Sequence, residues 1–233
     1  MKHFKYEFNK SKQQLLPLFL MTSVSQIVFL YFFAVVGHFD HDETNSIMTG
    51  YSGVTGLASM VTLCVIAIYG SVLASKLIVR DYIGLNKNKT YLLPVSRKDL
   101  FNAKVMAFGL IIIGSEIAGL LAANIVFILS ELLFPLVRHG VFNSLISFGV
   151  SIIVCVCFTL SIVLIASFVG IHRSSTISVV VSSVILVVIF GNILTRLIIG
   201  SSSLSILSSV VIILLTLAIK LLMENSIDHG EAE

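Results

Sequence analysis

"VMAFGLIIIGSEIAGLLAANIVFIL", residues 105–129, carries a single charged residue, Glu116, in 25 positions. A helix that crosses a bilayer needs about 20 predominantly apolar residues. A helix at the surface of a soluble protein alternates an apolar stripe with a charged face, and this stretch has no charged face. It reads as a membrane span, and the rest of the chain agrees. Mean hydropathy is +1.04, 57% of the residues are hydrophobic and 12% are charged; soluble chains carry about 25% charged residues.

Five further apolar runs lie at residues 15–36, 54–79, 144–170, 176–194 and 204–223. The sequence therefore predicts an all-α membrane protein of six transmembrane helices. One membrane domain, residues 15–223, fills the chain, with residues 1–14 before it and a tail, residues 224–233, after it. No segment between the spans is long enough for a soluble domain. Residues 192–203 read as a short loop or a re-entrant turn. The first apolar run is too long for a cleavable signal peptide, and no small-x-small site follows it.

Orientation follows from the basic residues. Of 15 lysines and arginines, 13 fall on one side of this arrangement and two, Arg138 and Arg196, on the other. Basic residues mark the cytoplasmic side. Both termini and residues 80–104 are predicted to be cytoplasmic, in the cell (plasma) membrane. Residues 1–14, with Phe4 and Phe8 one turn apart among Lys2, Lys5 and Lys12, predict an amphipathic helix in the inner interface.

The polar residues inside the spans are few. Glu116 is the one acid deep in a span. A charge at that depth costs about 2.5–3.5 kcal/mol on insertion scales. Two readings stand: Glu116, with Asn124, lines a polar path, or it is a neutral group hydrogen-bonded between helices or to Asn124. Gly109, Ile112, Ile113 and Ala123 share its helical face. Gly114/Ala118/Ala122, Ser174/Ser178/Ser182 and Ser201/Ser205/Ser209 form small-residue ladders that let helices approach within a bilayer; packing within one subunit is the simpler use. Cys64, Cys155 and Cys157 lie in apolar runs and match no redox or zinc spacing.

Absences narrow the function. The chain has no GxxxxGK[ST] phosphate loop and no HExxH. No cluster of histidines and acids sits in a span, so an enzyme is not expected. His38, Asp40, His41, Asp42 and Glu43 have no regular ligand spacing, so no metal site is expected. A net charge of +3, with the basic residues flanking spans, gives no reason to expect nucleic acid.

The densest polar segment is "RDYIGLNKNKTYLLPVSRKDLFNAK", residues 80–104. Ser96 and Asp99 have capping-box spacing, so a helix should start there and run into the third span. Pro94 precedes the cap, where the chain is not yet helical. Tyr82, Ile83, Leu85, Tyr91 and Leu92 would lie on one side of a short amphipathic helix. They could bury in a partner's groove or rest on anionic lipid.

This order of residues resembles the loop between the second and third spans of ABC-2 type transporter permeases. Arg80 and Asp81 match the family's charged pair, Gly84 its glycine, Leu92 and Leu93 its Leu-Leu run. Pro94, Val95, Ser96, Arg97 and Lys104 complete the match. The opening "FKYEFNKSK", residues 4–12, is similar to the family's N-terminal amphipathic helix. The resemblance implies a permease that binds no cofactor itself and forms half of a pathway with a second permease. P-loop ATPase subunits carrying ATP and Mg would drive it. Coupling would fall on Arg80, Asp81, Tyr82, Ile83, Gly84, Tyr91, Leu92, Pro94 and Arg97, in a short cytoplasmic coupling helix. By the same analogy the cargo would be amphipathic peptides or toxins, such as bacteriocins or phenol-soluble modulins, exported from bacteria. A secondary transporter or channel using Glu116 as a proton or ion site remains an alternative, as does a membrane-complex scaffold.

Overall fold

The computed structural model describes residues 2–39, 50–84, 96–133, 137, 145–199 and 202–229. All of its elements are helices. Helix α1 (Lys2–Ser11) passes through a 3-10 turn, Lys12–Gln14, into α2 (Leu15–Phe39). Pro17 explains the turn. It has no N–H for the Gln13 carbonyl, so regular α-helical bonding cannot run through this point. Ser11 and Leu15 keep right-handed helical backbone angles, so α1 and α2 form one extended stretch, Phe4–Phe39.

Helix α3 is Tyr51–Leu77, followed by a 3-10 turn, Val79–Tyr82. Helix α4 is Arg97–Leu133, α5 Leu145–His172, α6 Thr176–Ile199 and α7 Ser202–His229. Five stretches are long and apolar enough to cross a membrane: Phe4–Phe39, Tyr51–Tyr82, Arg97–Glu131, Phe148–His172 and Ile206–Glu224. Thr176–Gly191 of α6 is a shorter apolar helix. The protein is thus an all-α membrane protein. Residues 192–199, expected to be a loop or re-entrant turn, instead continue α6. An unbroken helix satisfies its own backbone polar groups, as hydrocarbon requires.

The helices pair in two parallel couples. Thr22 packs on Gly119, and Tyr31 OH donates a 2.6 Å hydrogen bond to Ser130 Oγ. Residue numbers rise together along the contact, so α2 and α4 run side by side in the same direction. A Cβ at position 119 would stand 2.7 Å from Thr22 Cβ, so only glycine permits this approach. Ser59 meets Cys155 and Gly70 meets Val163, which makes α3 and α5 the second parallel couple. Helices α3 and α5 form the buried centre, with α2 and α7 at the periphery.

The N-terminal helix is amphipathic and lays one face against the bundle while Tyr6 on the other face is exposed. Glu7, Ser11 and Phe8 turn inward, and α1 packs along the start of α4. Among the described residues, the ladder positions Gly114 and Ala118 meet no second helix: both are exposed, and a Cβ at position 114 would meet nothing within 4 Å. The close contact uses Gly119 instead.

Candidate functional site

Two sets of polar residues stand out, one at the end of the bundle that carries Arg80 and Arg97, the other in its interior.

At the basic end, α3 stops after Leu77 and the chain tightens into the 3-10 turn. Ile83 is extended and Gly84 adopts φ +56°, a left-handed conformation that glycine enters without strain. The chain is next described at Ser96. Ser96 Oγ accepts a 3.1 Å hydrogen bond from the Asp99 N–H, the N-cap contact that starts α4. With 37 residues, α4 is about 55 Å long at 1.5 Å per residue. That exceeds the roughly 30 Å hydrocarbon core, so part of α4 must project beyond it.

The described residues on either side of 85–95 are pinned to each other. Lys104 pairs with Asp81, and its Nζ lies 5.6 Å from the centroid of the Tyr82 ring. Tyr82 packs edge-on to Phe101, with ring centroids 5.6 Å apart at 83°. Lys104 is 6% exposed. A buried cation needs such company, a carboxylate for its charge and a ring face for its remaining surface.

The sequence-predicted residues therefore divide. Arg80 and Gly84 are exposed, and Asp81, Ile83 and Arg97 are half-buried. Ile83 packs against Val79, Ala166 and Val179. Tyr82 was expected on an outward apolar face. Instead it is 5% exposed, in a core with Ile78, Phe101, Val105 and Met223. Its ring is more useful filling the space between α3 and α4 than meeting a partner. Tyr91, Leu92 and Pro94 lie outside the described residues.

The interior set is carried by α2 to α5. Thr159 Oγ1 donates to Glu116 Oε1 at 2.8 Å, and Gln26 Nε2 donates to Ser59 Oγ at 3.1 Å. Cys155 Sγ lies 3.5 Å from the Ser59 carbonyl, which accepts from it. Asn124 Nδ2 donates to the Leu120 carbonyl at 2.7 Å within its own helix. Glu116 and Asn124 are each 1% exposed. Glu116 is therefore held between helices by Thr159. Eight residues separate Glu116 from Asn124, about 12 Å along a helix, so the two do not converge on one ion. Among the described residues, Gln26 Oε1, Thr62 Oγ1, Glu116 Oε2 and Asn124 Oδ1 are buried without a hydrogen-bond partner.

Sequence reasoning missed Gln26, Ser59 and Thr159, although Gln26 is a lone amide in an apolar run and could have been singled out. It also missed Phe101 and Asn102, which look unremarkable in a helix start. Among the described residues no three histidine, cysteine or acidic side chains gather as for a metal; Asp40, His41, Asp42 and Glu43 lie outside them, as do Ser201 and the side chain of Ser205.

A bundle of long apolar helices, with polar side chains paired across its interior and a basic end, defines a multi-pass membrane protein. No curated protein and no solved structure matches the chain. The family model described as "ABC-2 family transporter protein" matches residues 3–191, well over half of its length. The chain belongs to that family. It is a membrane permease subunit of an ABC transporter, a role that implies association with an ABC ATPase subunit.

Proposed function

We propose that this permease forms half of an export pathway, completed by a second permease and driven by P-loop ATPase subunits that bind ATP and Mg. The ATPase docks on residues 80–99. The observation that carries this reading is that the start of that segment is tied to the first turns of α4, through Asp81–Lys104 and Tyr82–Phe101. A loop tied only to lipid would move without moving the spans. A loop clamped to the end of α3 and the first turns of α4 transmits force to both.

The orientation proposed from the basic residues supports the same reading. Both termini face the cytoplasm, where ATP is available, and the protein resides in the plasma membrane. Amphipathic peptides or toxins remain the proposed cargo, on family analogy alone. Family membership favours this reading over a secondary transporter, a channel or a scaffold. The separation of Glu116 from Asn124 also speaks against one shared ion site.

Because Tyr82 is buried, the docking test belongs to Tyr91 and Leu92. Truncating an interface anchor commonly costs about 2 kcal/mol or more, enough to weaken docking over tenfold. Tyr91→Ala with Leu92→Ala should leave the permease inserted and lower recovery of its ATPase in a mild-detergent pull-down. Undiminished recovery with normal ATP hydrolysis would remove residues 80–99 as the docking surface.

A further inference from the structure

One turn of α4, Phe101 to Lys104, reaches three ways. Phe101 and Lys104 hold Tyr82 and Asp81. Asn102, between them, donates from Nδ2 to Glu224 Oε1 at 2.9 Å, across 122 residues of chain. Glu224 lies in α7. Its neighbour Met223 is 2% exposed and belongs to the same core as Tyr82, Phe101 and Val105. Over the rest of its length α7 packs mainly along α5, through Ser209, Ile212 and Thr216, while Leu214, Leu217, Leu221 and Leu222 are exposed. A second side-chain hydrogen bond ties it to α5, where Thr216 Oγ1 donates to Ser161 Oγ at 2.8 Å. Thr216 and Glu224 are eight residues apart, about 12 Å along the helix.

The geometry points to Asn102–Glu224 as a positioning link that makes the last span a second driven element. This rests on the reading that residues 80–99 receive the ATPase's motion. Displacing the start of α4 carries the Glu224 end of α7 with it, while Thr216–Ser161 holds α7 to α5 as a pivot. Asn102 is suited to this role because its amide offers a donor to a carboxylate at the edge of an apolar core. A hydrogen bond to a charged group is stronger than one between neutral groups. The motion is thus delivered to α3, α4 and α7 together, and not to α4 alone.

The bond can be broken and rebuilt without changing shape. Asn102→Asp sets two carboxylates face to face. Asn102→Asp with Glu224→Gln restores the bond with donor and acceptor exchanged. Spin labels at three exposed positions, Met106 on α4, Leu221 on α7 and His172 on α5, report the motion in the complete permease–ATPase complex. Distances would be measured without nucleotide and with ATP bound. Helix shifts in such transitions are about 1–2 Å or more.

In the wild type, ATP should change the 106–172 distance and leave 106–221 fixed. Asn102→Asp, with its ATPase still bound, should let 106–221 change on ATP binding. The double variant should return it to the wild-type pattern. If α7 stays with α5 while α4 moves, the link is overturned and docking stands. The link also falls if Asn102→Asp behaves as wild type, or if the double variant fails to restore the fixed distance. If 106–172 does not respond to ATP at all, the docking reading fails and the link fails with it.

Discussion

Thr159 and Glu116 meet at 2.8 Å in the centre of the bundle, each fully or almost fully buried, on helices that share few other close approaches. The pair joins α4, which begins at the pinned basic segment, to α5, at the core. It gives an intramembrane acid a structural role that needs no open path. Glu116→Gln keeps an acceptor for Thr159 and nearly the same shape. It should leave insertion and detergent melting close to wild type. Glu116→Ala removes the acceptor and leaves the Thr159 hydroxyl unpaired, at about 1–3 kcal/mol, seen as a lower melting temperature. Equal melting of the two variants would show that the bond does not hold α4 to α5.

Gly119 should tolerate no side chain. A methyl group there meets Thr22 Cβ at 2.7 Å and Cγ2 at 2.9 Å. Overpacking of this kind costs about 1–3 kcal/mol, so Gly119→Ala should lower the melting temperature and Gly119→Val should lower it further. Gly114→Ala, which meets nothing within 4 Å, is the control and should be neutral. A Gly119→Ala protein as stable as the control would mean that α2 and α4 do not approach this closely.

Lys104 and Asp81 should be coupled. Removing one member of a buried pair leaves the other uncompensated, about 3–5 kcal/mol when both are fully buried. The Asp81 side chain is 29% exposed, so solvent screening reduces this to roughly 2 kcal/mol for Lys104→Met. Asp81→Asn added to Lys104→Met should cost less than the sum of the two single changes. A double-mutant cycle of detergent melting would measure this, and strict additivity would count against the pair.

Topology can be checked by labelling. With residues 80–104 in the cytoplasm, a cysteine placed at Lys87 should react with a membrane-impermeant thiol reagent only after the cells are opened. A cysteine at Asp42 should react in intact cells. Reaction at position 87 in intact cells would reverse the proposed orientation.

The sequence determined the class of fold because hydrocarbon permits few solutions. Runs such as residues 105–129 can satisfy their backbone in a membrane only as helices or closed barrels, and their length and lack of period-two alternation left helices. The start of α4 was legible for a local reason: Ser96 and Asp99 form their cap within four residues. The charged segment with Gly84 and Pro94 carried the family resemblance, and the family match spans it. Which side chains turn inward was not legible. Tyr82 looked like a surface anchor among charges, but Phe101 and Lys104, about twenty residues onward, fold back to cover it. Gly114 and Gly119 are equivalent by composition. Only the approach of Thr22 from α2 makes one a contact and leaves the other exposed. Glu116 could equally have faced a path, Asn124 or another helix, and Thr159 decides among them from 43 residues away. The link from Asn102 to Glu224 spans just over half the chain. In these spans nearly every face is apolar, so hydrophobicity orders the helices across the membrane but does not choose their neighbours. Close packing and the few polar pairs make that choice, and both exist only once the helices are assembled.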